Sequence, residues 1–224
     1  MTRQKLSERT LPDYTKGEEI FNMVTHIAGG AVGIAALTLC VIFAALHKNV
    51  FGVVSSAIYG ASMIILYTMS SVYHGLSPKL TAKKVFQVID HCSIFLLIAG
   101  TYTPIALSAI RPHNALLGWI IFGVIWGLAA IGITLNSIDI KAFSKFSAAC
   151  YLIMGWGIVI AWKSTAAALT AGGTALLLAG GICYTIGALF YYFLKKKRYM
   201  HSIFHLFVVF GSILHTLCIL FYAV

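Results

Sequence analysis

The sequence predicts an all-α membrane protein: a seven-transmembrane helix bundle with a cytoplasmic N-terminus and an extracytoplasmic C-terminus. Three observations carry that expectation. Of the 224 residues, 60% are hydrophobic and only 10% are charged, where soluble domains carry roughly 25%. The hydrophobic residues gather in long runs, and about 20 residues of helix cross a bilayer. The lysines and arginines, finally, fall almost entirely between alternate runs.

The chain opens with a polar tail, residues 1–19, containing Arg3, Lys5, Arg9 and Lys16. The tail lacks the apolar stretch and small-residue cleavage site of a secretory signal. The transmembrane domain, 20–224, follows, with apolar runs near 21–46, 50–74, 86–110, 115–135, 146–162, 171–194 and 201–224. The connections are "HKN", "GLSPKLTAKK", "RPHN", "NSIDIKAFSK", "KSTAAAL" and "KKKRYM", none long enough for a soluble domain. Within the runs, Gly29/Gly33 and Gly123/Gly127 match the small-xxx-small pattern of packed membrane helices, and Pro104 predicts a kink in the third helix.

Alternation of sides then assigns the charges. One side receives the tail, Lys79, Lys83 and Lys84, Lys141 and Lys145, and the run Lys195, Lys196, Lys197 and Arg198, thirteen of the sixteen basic residues. The other receives Lys48, Arg111 and Lys163. Positive loops stay in the cytoplasm, so the N-terminus is inside and the protein belongs in the cell inner (cytoplasmic) membrane. The net charge of +10 therefore reports orientation, and no nucleic-acid partner is expected. Cys40, Cys92, Cys150, Cys183 and Cys218 are scattered without paired spacing, which argues against a disulfide framework or a cysteine metal site.

With direction assigned, the unusual polar residues converge on the cytoplasmic leaflet. Glu19, Asn22 and His26 share one stripe of the first helix at i, i+3 and i+7. Ser70 and His74 lie one turn apart at the end of the second, in "SSVYH". Asp90 and His91 occupy the first turns of the third, and His201 and His205 open the seventh one turn apart. Ionisable residues inside a membrane are costly and mark functional sites. Blander roles exist for single members: Glu18 and Glu19 favour a helix N-terminus, and Asp90 can pair with Lys83 or Lys84. His47, His113 and His215 read as interfacial or packing residues of the outer side.

Three imidazoles from two helices suit a metal. Two histidines at i, i+4 bind one ion through neutral rings, and His74 completes the set, leaving a fourth position open as in catalytic zinc sites. A carboxylate beside a zinc-bound water serves as proton acceptor, and Asp90 stands at the right depth. Ser70 can hydrogen-bond the carboxylate, the water or a substrate carbonyl. Glu19, Asn22 or Ser70 can hold the second ring nitrogens, with His26 and His91 nearby. Haem is the competing cofactor: His201 and His205, one turn apart, cannot take opposite axial positions on one iron, which leaves a haem between His74 and one of the pair as the open alternative.

These same stretches, "EEIFNMVTH", "SSVYHGL", "DHCSIFLLIAGTYTP" and "HSIFHLF", resemble the bacterial hemolysin III family. That family is the prokaryotic branch of the progestin and adipoQ receptors, in a superfamily of predicted membrane hydrolases that includes alkaline ceramidases. The resemblance runs from Glu18 to the seventh helix. It implies seven spans, zinc on His74, His201 and His205, and Asp90 and Ser70 beside the zinc-bound water. The chain lacks the long N-terminal domain of the eukaryotic receptors, so hormone binding does not carry over.

The leading expectation is a zinc-dependent hydrolase of a lipid amide or ester with a role in membrane lipid homeostasis, a membrane lipid being substrate or ligand. Two alternatives stand beside it. One is a non-enzymatic lipid sensor with structural zinc. The other is a pore-forming, hemolysin-like protein, disfavoured because the outer halves of the helices read as almost wholly apolar.

Overall fold

A computed structural model describes residues 6, 9–194 and 197–224. Arg3, Lys5, Lys195 and Lys196, which enter the charge asymmetry, lie outside the described residues. The described chain is all helical: α1 (Lys16–Leu46), α2 (Val50–Gly75), α3 (Thr81–Pro104) with a π-helical extension (Ile105–Ile110), α4 (Ala115–Asp139), α5 (Ser144–Trp156), a 3-10 segment (Gly157–Ala161), α6 (Trp162–Leu194) and α7 (Met200–Tyr222). Six stretches are long and apolar enough to cross a membrane, the segments from Ser144 to Leu194 counting as one.

Local chemistry sets the helix ends. Thr15 caps α1 through a capping box with Glu18, whose carboxylate accepts the Thr15 N–H at 2.8 Å. This reciprocal pairing satisfies donors that a helix start leaves orphaned. Asn49 and Asn114 cap α2 and α4, accepting from Gly52 N at 2.8 Å and Leu117 N at 3.0 Å. Pro104 ends regular α3. Its missing N–H breaks the i→i−4 ladder, and the chain continues as a π-helix, which is how a bundle re-satisfies such a break.

The predicted connection "KSTAAAL" is helical, a correction to the fifth and sixth runs. Its alanines favour helix, and no turn residue stops it. The regular pattern is interrupted on either side instead, by the 3-10 segment and by Thr170, whose φ of 59° is left-handed. The carbonyl of Thr170 is taken up by Thr174 Oγ1 at 2.6 Å.

Helices adjacent in sequence pack against one another, and α7 returns to α1, closing a ring. α3 and its π extension are the most buried stretch. Tyr59, Met63, Phe95, Ile105, Met154 and Ile219 are among the side chains that fill the interior. Gly29 and Gly33 are packing glycines as expected: a Cβ on Gly29 would lie 2.5 Å from the Tyr67 ring, and one on Gly33 3.2 Å from Met63. Gly123 and Gly127 are not, since a Cβ on either meets nothing within 4 Å. α4 turns that side away from the rest of the chain, so the motif does no packing within it.

The expectation that the helix halves remote from the histidine-bearing ends are apolar also needs correction. Ser212 Oγ accepts from Tyr67 Oη at 2.7 Å and lies 2.7 Å from Tyr184 Oη, while Tyr59 Oη lies 2.8 Å from Thr216 Oγ1. His215 is buried and donates from Nε2 to the Leu177 carbonyl at 3.0 Å. It fits a notch at Gly180, where a Cβ would lie 2.2 Å from its ring. These residues point inward, so α2 and α7 look apolar in sequence while burying a hydrogen-bonded polar seam.

Candidate metal centre

α2 ends where α7 begins, and the two helix ends bring three histidines together. His74 occupies the last turn of α2, and His201 and His205 lie on the first turns of α7. His201 Nε2 is 3.4 Å from His74 Nε2 and 3.1 Å from His205 Nε2. One ligand atom from each ring lies within 4.8 Å of the others, and His74 and His205 are buried. A buried three-histidine cluster that could hold a metal ion is thus present.

The hydrogen bonds around the cluster test whether these rings suit a cation. His74 Nδ1 meets the Glu19 carboxylate at 2.6 Å, so that nitrogen carries a proton, and in the neutral ring Nε2 is the bare one. His205 Nδ1 faces the Asn22 carbonyl at 3.4 Å, leaving its Nε2 bare as well. Two lone pairs therefore point into the space that His201 Nε2 also faces. Such convergence is repulsive without a proton or a metal between them. Metal–nitrogen bonds of roughly 2.0–2.1 Å at tetrahedral angles place neighbouring nitrogens about 3.3 Å apart, close to the two distances found. The donor set could hold a metal ion.

The stripe expected on α1 faces this cluster. Glu19 binds His74, the Asn22 backbone binds His205, and His26 lies flat on the His205 ring with centroids 3.6 Å apart. The Asn22 side-chain amide also approaches His74 Nδ1 at 3.5 Å. Carboxylate or carbonyl partners of this kind fix the tautomer and raise the basicity of a ligating imidazole.

Ser70 stands one turn before His74, buried, its Oγ without a hydrogen-bond partner. His201 Nδ1, Ser202 Oγ, Asn22 Oδ1 and both nitrogens of His26 are likewise buried and unpartnered. Buried polar groups are nearly always satisfied, so orphans on and around three histidines indicate a site built for a polar occupant.

Asp90 lies on α3 with its carboxylate 3.8 Å from His91 Nδ1. His91 belongs less to the cluster than its position suggested: Nδ1 donates to the Gln87 carbonyl on its own helix at 2.9 Å.

Three participants were not singled out from the sequence. Lys83, expected only as a possible partner of Asp90, is buried and pairs with Glu19 at 2.8 Å. Tyr14, in the tail, stacks on His201 with centroids 5.0 Å and planes 12° apart. Burial, then the neighbouring Tyr191 and Tyr73 phenols and the Glu19 and Asp90 carboxylates, push the Tyr14 phenol well above its ordinary range. It is a neutral cover on the cluster. Glu18 holds that cover in place, because its Oε1 accepts the Tyr199 N–H at 2.6 Å and ties the start of α1 to the turn before α7. Lysine and tyrosine near membrane ends ordinarily act as interfacial anchors, so nothing in the pattern distinguished these.

The sequence has relatives among known proteins. Residues 14–216 match the family described as Haemolysin-III related. "Hemolysin-3" of Bacillus cereus is 43% identical over 206 residues, covering 92% of this chain and 91% of the relative. "Hemolysin-3 homolog" of Bacillus subtilis (strain 168) is 41% identical over 211 residues, covering 94% and 97%. A more distant relative, the human "Monocyte to macrophage differentiation factor", is 26% identical over 170 residues, covering 72% and 67%.

Proposed function

We propose that this chain, which belongs to the Haemolysin-III related family, is a zinc-dependent membrane hydrolase of a lipid amide or ester. The observation that carries the reading is the convergence of the His74, His201 and His205 Nε2 atoms, with neighbouring distances of 3.4 and 3.1 Å. These three side chains would hold the ion. When bound, zinc supplies a Lewis acid and brings the pKa of a water ligand toward about 7.

The chain's own residues have distinct tasks. Glu19 and the Asn22 carbonyl hold His74 and His205 with bare nitrogens inward. Asp90 takes the proton of the attacking water and returns it to the departing nitrogen or oxygen. Ser70 Oγ, free of other partners, donates to the carbonyl oxygen on which negative charge develops. Water thus adds across the scissile bond, leaving an acid and an amine or alcohol. A lipid is the natural substrate class, because the cluster sits at the ends of spanning helices, where headgroup linkages lie. Tyr14 covers it from the tail, which favours entry from the membrane. Turnover of such a lipid would serve membrane lipid homeostasis.

The orientation belongs to the same proposal: seven crossings, the N-terminus and the cluster on the cytoplasmic side of the inner membrane. The helical stretch from Ser144 to Leu194 has 51 residues. At 1.5 Å per residue that is about 76 Å, more than twice a hydrocarbon core of roughly 30 Å. Two crossings divided near the 3-10 segment and Thr170 accommodate that length.

The test is Asp90→Asn in protein shown to be folded. It should retain its zinc while lipid turnover falls by about 10²–10⁴-fold, the usual cost of losing a positioned base. His74→Ala, His201→Ala and His205→Ala should each lose the metal. A folded, zinc-loaded Asp90→Asn protein that fully complements a deletion strain would overturn the hydrolase and leave a lipid sensor with structural zinc.

A further inference from the structure

Lys83 is the buried cation of the site, 1% exposed. It stands in the first turn of α3 and reaches back across the α2–α3 connection. Its Nζ donates to the carbonyls of Tyr73 and Leu76 at 2.9 Å each, lies 3.5 Å from the His74 carbonyl, and pairs with Glu19 Oε1 at 2.8 Å. The carbonyls are those that the end of α2 leaves without helical partners. A cation there also meets the negative end of the helix.

Glu19 is gripped at both oxygens. Oε1 takes the Lys83 ammonium at 2.8 Å, and Oε2 takes His74 Nδ1 at 2.6 Å. A carboxylate held at one oxygen only can swing about its last torsion, which is broad. Held at both, it presents Oε2 to the imidazole in one orientation. The tautomer of His74 depends on that orientation. With Nδ1–H directed at the carboxylate, Nε2 is bare and can ligate. Without it, the ring is free to carry its proton on Nε2, where it blocks the cluster.

We infer that Lys83 is a positioning residue for the metal centre, acting through Glu19 to keep the His74 Nε2 lone pair directed at the other two histidines. The inference rests on the metal-centre reading. Lys83 need touch neither the metal nor a substrate. Its location at the α2 end couples the fold of the α2–α3 turn to the ligand itself. A purely structural role, capping α2, is the competing explanation, and it predicts no dependence on Glu19.

Two measurements separate them, both on full-length protein in detergent. The first is zinc affinity by competition with a chromophoric chelator, for Lys83→Met, Lys83→Gln, Glu19→Gln and the double variant Lys83→Gln/Glu19→Gln. Lys83→Gln keeps a donor for the α2 carbonyls and removes the positive charge that pairs with Glu19, so it serves if Lys83→Met fails to fold. Loss of a partner that orients a metal ligand weakens binding about 10–100-fold. That loss is expected for Lys83→Gln and for Glu19→Gln, and the double variant should be no weaker than Glu19→Gln alone, as for residues acting in one chain. Lys83→Arg should recover most of the affinity. The second measurement is NMR of isotope-labelled histidine in metal-free protein, where His74 should hold its proton on Nδ1 in the parent and lose that preference in Lys83→Gln. Unchanged zinc affinity in folded Lys83→Gln, or losses that multiply in the double variant, would overturn the inference. If the parent itself binds no zinc, the metal-centre reading fails and the inference falls with it; a zinc-binding parent with an unaltered His74 tautomer in Lys83→Gln overturns the inference alone.

Discussion

His26 lies flat against His205, their planes 10° from parallel. Its ring also meets the edge of Tyr67 at 5.0 Å and 83°. His26 is buried at 4% exposure, with neither nitrogen partnered. The ring therefore works as a wall behind His205, holding its plane by contact. His26→Ala should weaken metal binding by about tenfold, the low end of the range for orienting groups, without abolishing it. His26→Phe should restore most of the loss by keeping the stack. Both are read by the chelator competition. A His26→Ala protein that loses all its metal would make His26 a ligand instead.

Tyr14 covers His201 from the tail, and Glu18 pins the start of α1 to Tyr199 N. On the metal-centre reading, a soluble chelator must pass this cover to reach a bound ion. Tyr14→Ala should therefore speed zinc removal by about tenfold or more at unchanged equilibrium affinity, since the ring obstructs the path and ligates nothing. Tyr14→Phe should leave the rate as it was, because the phenol oxygen is not the obstruction. Stopped-flow removal by a water-soluble chelator measures it, and equal rates in all three proteins would refute the cover.

Gly29 and Gly123 look alike in sequence and differ in surroundings. A Cβ on Gly29 enters the Tyr67 ring at 2.5 Å, while one on Gly123 meets nothing within 4 Å. Gly29→Ala should destabilise the protein by about 1–3 kcal/mol, the range for overpacking. It should disturb the contact of Tyr67 with His26 as well. Gly123→Ala should be neutral or stabilising by up to about 1 kcal/mol through helix propensity. Thermal unfolding in detergent compares the two.

A reporter enzyme active only outside the cytoplasm, fused after Val224, should be active, and one inserted between Lys197 and Tyr199 should be silent. The expectation follows from the placement of thirteen of sixteen basic residues on one side. Reversed activities would place the histidine cluster in the opposite leaflet.

Much of the site was legible because membrane helices make polar residues conspicuous. In an apolar run, each of Glu19, Asn22, His26, His74, His201 and His205 carries a cost that only a partner or a function offsets. Helical periodicity then assigns each to a face, and the structure does bring these six together. Lys83, Tyr14 and Glu18 were hidden for the opposite reason: they stand at helix ends and in the tail, where charged and aromatic residues are common.

By itself, the sequence determined the helical class, the membrane as solvent and the residues that compose the cluster. These depend on composition and on the one-turn spacing of side chains along a helix, both local properties. The tertiary structure decided what locality cannot carry. It gave Lys83 to Glu19. It made Gly29 a contact and left Gly123 without one. It turned Tyr59, Tyr67 and Ser212 inward as a polar seam. Each of these outcomes depends on which face of one helix meets which face of another, a pairing across many residues that periodicity within a single helix does not encode.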